Sequence, residues 1–268
     1  MTSYGTELAA AREAAARASA YLRKEYESFV AIPDAPVTIS THADKGSQEL
    51  ILAFLHERFP ADALCAEEST PNFDAVPKSG RRAWVVDPID GTRGFAKKTG
   101  QFSTMIGLLV DGAPVVGVVA EPAQDRFTFA SLGGGCWVQV GTAEPTRCRV
   151  SARGFTNLVL TQSWAKTGMS PKPVTALTPA RVIETYSGGI KLALVARGEA
   201  DVYANTYETF RDWDICAGHV LVTEAGGTVT DLGGNPITYQ NEAFAQSRGL
   251  IATNGPTHPE TVMRLAGL

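Results

Sequence analysis

Apolar positions recur with a helical period in the first part of the chain and with a strand period in the next. Residues 5–28 mix Ala, Glu, Arg and Leu, with Leu8, Ala15, Tyr21 and Leu22 apolar, which predicts an amphipathic helix. Residues 47–59 predict a second, because Leu50, Ile51, Phe54 and Leu55 fall on one face. The period then changes. Runs over 83–86, 104–110 and 115–120 are apolar or β-branched and are separated by Gly, Asp-Gly and Pro, with Asp111-Gly112 a hairpin signal. Runs over 127–130 and 136–140 continue the meander across a turn at Gly133-Gly134-Gly135. Residues 151–186, punctuated by Pro171, Pro173 and Pro179, divide the chain loosely. Beyond them the pattern predicts a helix at 188–197, a strand at 200–204, a helix at 213–224 and a strand at 228–230. This order predicts an α/β (α+β) protein of stacked sheets and helices rather than a simple parallel fold. Its halves, residues 1–150 and 151–268, are expected to pack as one compact unit.

Composition narrows the function classes. The chain has 268 residues, 44% hydrophobic and 19% charged, which is ordinary for a globular protein with a large core. Its formal net charge is −4, and no basic run extends beyond Arg81-Arg82 and Lys97-Lys98, so no nucleic-acid polymer is an expected partner. A small anionic substrate stays open, because metal ions can supply local positive charge. Residues 1–30 have neither the apolar segment of a signal peptide nor a stretch that could span a bilayer, so no membrane partner is expected. Cys65, Cys136, Cys148 and Cys216 show no CxxC spacing, which points to a reducing, cytoplasmic setting.

The candidate chemistry begins in the stretch WVVDPIDGTRGF, from Trp84 to Phe95. It places Asp87 and Asp90 where an apolar strand leaves the core. Pro88 fixes its own φ and holds Asp87 extended, so both carboxylates can point into one site. Two anions so close raise each other's pKa unless a cation sits between them. Oxygen ligands without a His or Cys cluster favour Mg²⁺ or Mn²⁺ over zinc. Gly91-Thr92 then offers free backbone N–H groups at a helix start, suited to a phosphate. Taken alone, the pentapeptide reads equally well as a surface turn. Three more acidic clusters accompany it. Glu67-Glu68 follows the apolar Ala63-Leu64-Cys65, Asp214 opens an apolar helix, and Asp44 lies just before the second helix. Each alone is explained as a solvated loop or a cap; their joint presence is harder to dismiss. His42, His56, His219 and His258 are dispersed and read as packing, and the segment 70–82 reads as a flap beside the site or an ordinary loop.

The order and wording of these motifs resemble the inositol monophosphatase superfamily of magnesium-dependent, lithium-sensitive phosphatases. Asp87-Pro88-Ile89-Asp90-Gly91-Thr92 is similar to its first signature, and Trp213-Asp214-Ile215-Cys216-Ala217-Gly218, running on to Glu224-Ala225-Gly226-Gly227, to its second. With Glu67-Glu68-Ser69 the resemblance spans residues 38–255. It implies a layered α-β-α-β-α sandwich. It also implies that Glu67, Asp87 and the Ile89 carbonyl hold one metal and Asp87, Asp90 and Asp214 another. Two or three Mg²⁺ ions would occupy such a site, with Mn²⁺ a possible substitute. Thr92 would pair with the attacking water, Asp44 would relay the proton, and Glu67 would share in catalysis.

The resemblance is strongest to the 3'(2'),5'-bisphosphate nucleotidase branch, which hydrolyses 3'-phosphoadenosine 5'-phosphate to AMP. It rests on Asp44-Lys45-Gly46-Ser47-Gln48 and on Gly91-Thr92-Arg93-Gly94-Phe95. Gly91, Thr92, Ser187, Lys191 and Arg211 are then the expected substrate contacts, with Lys191, or more weakly Arg211, meeting the second phosphate. An exposed helix lysine is the plain alternative for Lys191. Two departures stand out. Residues 38–42 are longer than the family form. Ala204-Asn205 stands where the nucleotidase branch carries Arg and the inositol branch Glu, leaving Glu208 or Arg211 as substitutes. Inositol-1-phosphate, histidinol phosphate and sugar monophosphates are alternative substrates. A non-catalytic regulator that keeps the fold to bind a phosphorylated metabolite is the alternative of another class, and a homodimer is the expected assembly.

Overall fold

Two large sheets, each flanked by helices, organise the computed structural model, which describes residues 4–165, 168 and 170–267. Helices α1 (Gly5–Ser28) and α2 (His42–Arg58) lead into β1 (Ala63–Ala66), β2 (Arg82–Asp90), the short helix α3 (Thr92–Ala96), β3 (Ser103–Val110), β4 (Ala113–Glu121), β5 (Arg126–Ser131), β6 (Gly135–Val140) and β7 (Thr146–Arg147). The second half runs through β8 (Val159–Gln162), α4 (Lys172–Leu177), β9 (Arg181–Glu184), α5 (Gly188–Ala196), β10 (Val202–Asn205), β11 (Phe210–Arg211), α6 (Asp212–Glu224), β12 (Thr228–Thr230), β13 (Ala245–Gln246), β14 (Leu250–Thr253) and α7 (His258–Leu265).

Strands β1 to β7 form one sheet in sequence order, parallel only between β1 and β2. The second sheet is ordered β12-β14-β10-β8-β9, with β8 parallel to both β9 and β10. Strand alternation sorts the side chains into layers. Leu64, Trp84, Val86, Ile106 and Leu108 face α1 and α2, where Ala10, Ala14, Ala18, Ile51 and Leu55 cover them. Cys65, Val85, Met105 and Leu109 face the other way, onto α5 and α6. The far side of α5 and α6 packs on Tyr203, Leu250 and Ala252 of the second sheet. That sheet's outer face, with Leu160, Val202 and Ile251, is closed by Leu177 of α4 and Leu265 of α7. The result is an α-β-α-β-α sandwich. Close approach of α6 to the first sheet needs glycine: a Cβ at Gly107 would stand 2.6 Å from Cys216 Sγ.

Several elements depart from the pattern reading. Helix α2 starts at His42 rather than at 47, so Asp44 is inside its first turn, where it completes a capping box with Thr41. Leu50, read as part of the buried face, is 43% exposed, while Ile51, Phe54 and Leu55 are buried. Strand β2 does not end at Asp87 but continues to Asp90 through a register shift. Residues 151–186 hold β8, α4 and β9 where only a loose divide was expected. These pieces are four to six residues long, below the length at which either period shows.

Candidate active site

Alternation and register bring the acidic groups together. Cys65 pairs with Val85 and Ala66 with Val86 in the parallel ladder, so Glu67 follows on the same side as Asp87, the side facing α6. Asp90, three residues on, would ordinarily point to the opposite face. Between the pairs Asp87–Met105 and Asp90–Ser103 the partner strand advances by one residue fewer, and this bulge returns Asp90 to the side of Asp87. Pro88 is tolerated there because a bulge leaves a ladder position unpaired. Its carbonyl accepts from Thr104 Oγ1 at 3.0 Å and Ser47 Oγ at 3.3 Å. From the opposite layer, α6 contributes Asp214 from its first turn, where Oδ2 accepts the backbone N–H of Arg211 at 2.6 Å. One carboxylate oxygen from each of Asp87, Asp90 and Asp214 lies within 4.8 Å of the others.

Each aspartate is held differently. Asp90 is tied to the start of α5: Oδ2 accepts from Gly189 N–H at 2.7 Å and from the Ser187 hydroxyl, and Oδ1 from Gly188 N–H at 3.1 Å. Asp87 is 2% exposed, and its Oδ1 has no hydrogen-bond partner among the described residues. Burial foremost, then the charges of Glu67, Asp90 and Asp214, push the Asp87 carboxyl well above the usual carboxylate range. Asp214 is raised by burial first, with the Arg211 N–H opposing. Glu67 is raised to about 7, again mainly by loss of water around its carboxyl, with Asp44, Glu68 and Asp90 adding repulsion. A bare buried carboxylate oxygen beside two further acidic groups is costly unless a cation or proton joins it. The donors are all oxygen, so the site fits a hard divalent cation.

Beside this floor, Gly91 adopts φ +82° and opens α3, leaving the first N–H groups of that helix without intrahelical partners. The Thr92 hydroxyl is 3.0 Å from Asp44 Oδ1 and 2.9 Å from the Ile89 carbonyl. Asp44 is itself 1% exposed and fixed by Thr41, whose N–H and Oγ1 each lie 2.7 Å from its Oδ2. Burial raises the Asp44 carboxyl, and the hydrogen bonds from Thr41 and Thr92 moderate the rise.

A cleft of about 800 Å³ opens over the floor; Glu67, Asp87, Ile89, Asp90, Gly91, Thr92 and Asp214 line it. Asp44 stands behind Thr92. Three expected substrate contacts are placed elsewhere. Ser187 is wholly buried; it caps α5 by accepting the Ile190 N–H at 2.9 Å and turns its hydroxyl to Asp90. Lys191 is neither an exposed helix lysine nor part of the cleft wall: it is 1% exposed, and its Nζ donates to Ser163 Oγ at 3.1 Å and the Tyr186 carbonyl at 3.4 Å. Burial lowers its pKa to about 8, with Asp90 and Asp214 pulling the other way. Arg211 points its guanidinium at the Ala243 carbonyl, 3.2 Å away, and only its backbone reaches the site. Glu208 is exposed and does not line the cleft, whereas Asn205 does. Residues 70–82 stay off the cleft wall; residues 37–40 border it. Gln162, Trp164, Tyr186 and Tyr207 are among the further wall residues that no sequence signal marked, since a four-residue strand and a loop carry no periodicity.

Buried, converging carboxylates under a cleft in this layered fold mark a metal-dependent phosphatase. The model of the inositol monophosphatase family matches residues 5–266, and the chain belongs to that family. It is 31% identical over 237 residues to a histidinol-phosphatase of Mycobacterium tuberculosis, covering 85% of both chains. It is 31% identical over 215 residues to the 3'(2'),5'-bisphosphate nucleotidase CysQ of Salmonella typhimurium, covering 77% of this chain and 80% of that protein. Among solved structures, an inositol monophosphatase from Anabaena superposes with a TM-score of 0.79 at 29% identity, over 98% of this chain and 96% of that one.

Proposed function

We propose that this cleft hydrolyses a small phosphate monoester, with Glu67, Asp87, the Ile89 carbonyl, Asp90 and Asp214 holding two Mg²⁺ ions that Mn²⁺ can replace. The observation that carries the reading is the convergence of Asp87, Asp90 and Asp214 oxygens within 4.8 Å, one of the carboxylates bearing an unpartnered oxygen. When bound, such cations neutralise phosphate charge and acidify water. The chain's own residues then position and move the proton. Thr92, its hydroxyl proton directed to Asp44, keeps oxygen lone pairs free to accept from the attacking water. Asp44, its carboxyl raised by burial, is suited to receive a proton through that hydroxyl. The N–H groups of Gly91 and Thr92 are available to phosphate oxygens, and no covalent nucleophile is needed. Because all these groups are retained, catalysis is favoured over a purely regulatory binder.

For the alcohol half, histidinol phosphate is the leading candidate. The similarity to the Mycobacterium tuberculosis histidinol-phosphatase covers more of the chain than that to the nucleotidase. The cations expected to meet a second phosphate do not line the cleft: Lys191 Nζ is engaged behind the wall by Ser163 Oγ and the Tyr186 carbonyl, and the Arg211 guanidinium by the Ala243 carbonyl. Adenosine 3',5'-bisphosphate is the second reading, favoured by Arg93 and Lys172 on the cleft wall. Phosphate release from both esters and from inositol 1-phosphate, with and without Mg²⁺ and repeated for Asp90→Asn, tests both levels. Strict metal dependence, loss in the variant and a tenfold or greater preference for histidinol phosphate, about 1.4 kcal/mol, are expected. Turnover indifferent to metal and to Asp90→Asn rejects the mechanism, and a tenfold preference for the bisphosphate rejects the substrate.

A further inference from the structure

Cys136 and Cys148 do not line the cleft, and the fold sets them against each other. Antiparallel register pairs Trp137 with Arg147 and Val138 with Thr146 across β6 and β7, and the Cys148 N–H donates to the Cys136 carbonyl at 2.8 Å. The ladder therefore runs one step past β7, with Cys136 directly opposite Cys148. Residues so paired point to the same face of a sheet and stand about 5.5 Å apart at Cα, within the span that a disulfide bridges. Alternation fixes which face. Trp137 lies on the side of α1, with the Arg147 guanidinium 5.6 Å from its ring, whereas Cys136 and Cys148 both turn into the core against α5 and α6. Both are free thiols, 0% and 4% exposed.

Their surroundings favour a thiolate on one of them. The hydrogen bond between the two sulfurs acts first: it lowers Cys148 below the ordinary cysteine value and raises Cys136 above it, with burial raising both. Arg197, at the end of α5, favours the anionic form of either sulfur, opposed at Cys148 by Glu199. Its side chain is buried against Glu121, and its Nη2 has no hydrogen-bond partner among the described residues, so the guanidinium keeps a donor for an anion. A lowered thiol touching a second sulfur is the arrangement of an oxidisable pair. Access comes from the sheet edge. Strand β7 has two residues, Thr146 and Arg147, both exposed and paired only to β6, and so short an edge opens at low cost.

We propose that Cys136 and Cys148 form a reversible oxidation site, which a hydroperoxide reaching the β7 edge closes to a disulfide. The Cys148 thiolate attacks one peroxide oxygen and the O–O bond breaks, leaving a sulfenic acid; the departing hydroxide regains the proton that Cys148 had lost and leaves as water. The Cys136 sulfur then attacks the sulfenic sulfur. Its S–O bond breaks, and the second hydroxide takes the Cys136 proton and leaves as water. Two thiols and one hydrogen peroxide give one disulfide and two waters, and a dithiol reductant reverses the change. The bond ties the edge strand to β6, whatever ester the cleft turns over.

The test treats the reduced, folded full chain with hydrogen peroxide, then counts thiols in denaturant and maps the peptides. Free thiols should fall from the four of Cys65, Cys136, Cys148 and Cys216 to two, with the mass lower by about 2 Da, Cys136 joined to Cys148, and all four thiols restored by dithiothreitol. This readout uses the wild type and so does not depend on how a variant folds. In Cys136→Ser the reaction should stop at the first step, with dimedone trapping a sulfenic acid on Cys148; in Cys148→Ser the adduct on Cys136 should be at least tenfold less. Persistence of four thiols, a disulfide through Cys65 or Cys216, or one between two chains overturns the proposal. An adduct on Cys136 equal to that on Cys148 overturns the order of the steps.

Discussion

The Thr92 hydroxyl has one proton and two acceptors within reach, Asp44 Oδ1 and the Ile89 carbonyl, and the relay proposed above requires that the proton go to Asp44. Thr92→Val keeps the side-chain shape and removes that link. If the hydroxyl aligns water and passes its proton to Asp44, kcat falls by about 10²–10⁴-fold, the range of general acid–base assistance, while KM changes by only a few-fold. An unchanged kcat would make Asp44 and Thr92 a structural pair. Asp87 and Asp90 stood out in sequence only in company: alone, Asp-Pro-Ile-Asp-Gly reads equally well as a surface turn, and the further acidic clusters at Asp44, Glu67-Glu68 and Asp214 changed the weight of that reading. Ser187 and Lys191 were misread for a physical reason: every residue of α5 is buried, so the helix shows no polar face from which to tell inside from outside. A lysine between Ile190 and Leu192, followed by Ala193 and Leu194, already carried the hint that it was enclosed.

Among the elements, the link between β2 and α5 governs the site. The bulge in β2 turns Asp90 toward the first turn of α5, and two backbone N–H groups and the Ser187 hydroxyl then hold it. Ser187→Ala removes both an N-cap and one of those donors. The cap alone is worth about 1 kcal/mol, which for a chain of this size lowers Tm by roughly 2–4 °C. A role in holding Asp90 predicts more than that: weaker Mg²⁺ binding, seen as a severalfold higher metal concentration for half-maximal activity. A lower Tm with an unchanged metal requirement would reduce Ser187 to a helix cap. The Asp111-Gly112 hairpin was readable because both residues need positive φ, and they adopt 51° and 76°. The bulge was not, because it is defined by how β2 meets β3, which no single strand records.

At the scale of the whole molecule, the layers force acidic residues of β2, α6 and the turn after β1 against one another, a repulsion that bound cations would relieve. The sign of the pH dependence follows. Asp87, Asp214 and Glu67 all have folded pKa values above their unfolded ones, with Glu67 at about 7. Their contribution to metal-free stability is present below about pH 4, the unfolded carboxylate range, and is lost as pH rises through the folded values. Metal-free protein should therefore show a site contribution to Tm that shrinks between pH 5 and pH 8, and Mg²⁺ should raise Tm more at pH 8 than at pH 5. Equal Mg²⁺ effects at both pH values would argue against these carboxylates as its ligands. The stacked order of helices and sheets was visible in the element sequence; that one apolar cluster runs from Ala63 to Ala252 was not, because it is assembled from elements far apart in the chain.

Titration calorimetry with Mn²⁺ on wild type, Asp87→Asn and Asp214→Asn addresses the shared cation site most directly, because those two residues come from different layers and meet only if the site is real. The account predicts two bound Mn²⁺ per wild-type chain and loss of at least one, with phosphate release, in each variant. Variants that bind as many ions as the wild type and turn over ester at its rate would contradict it.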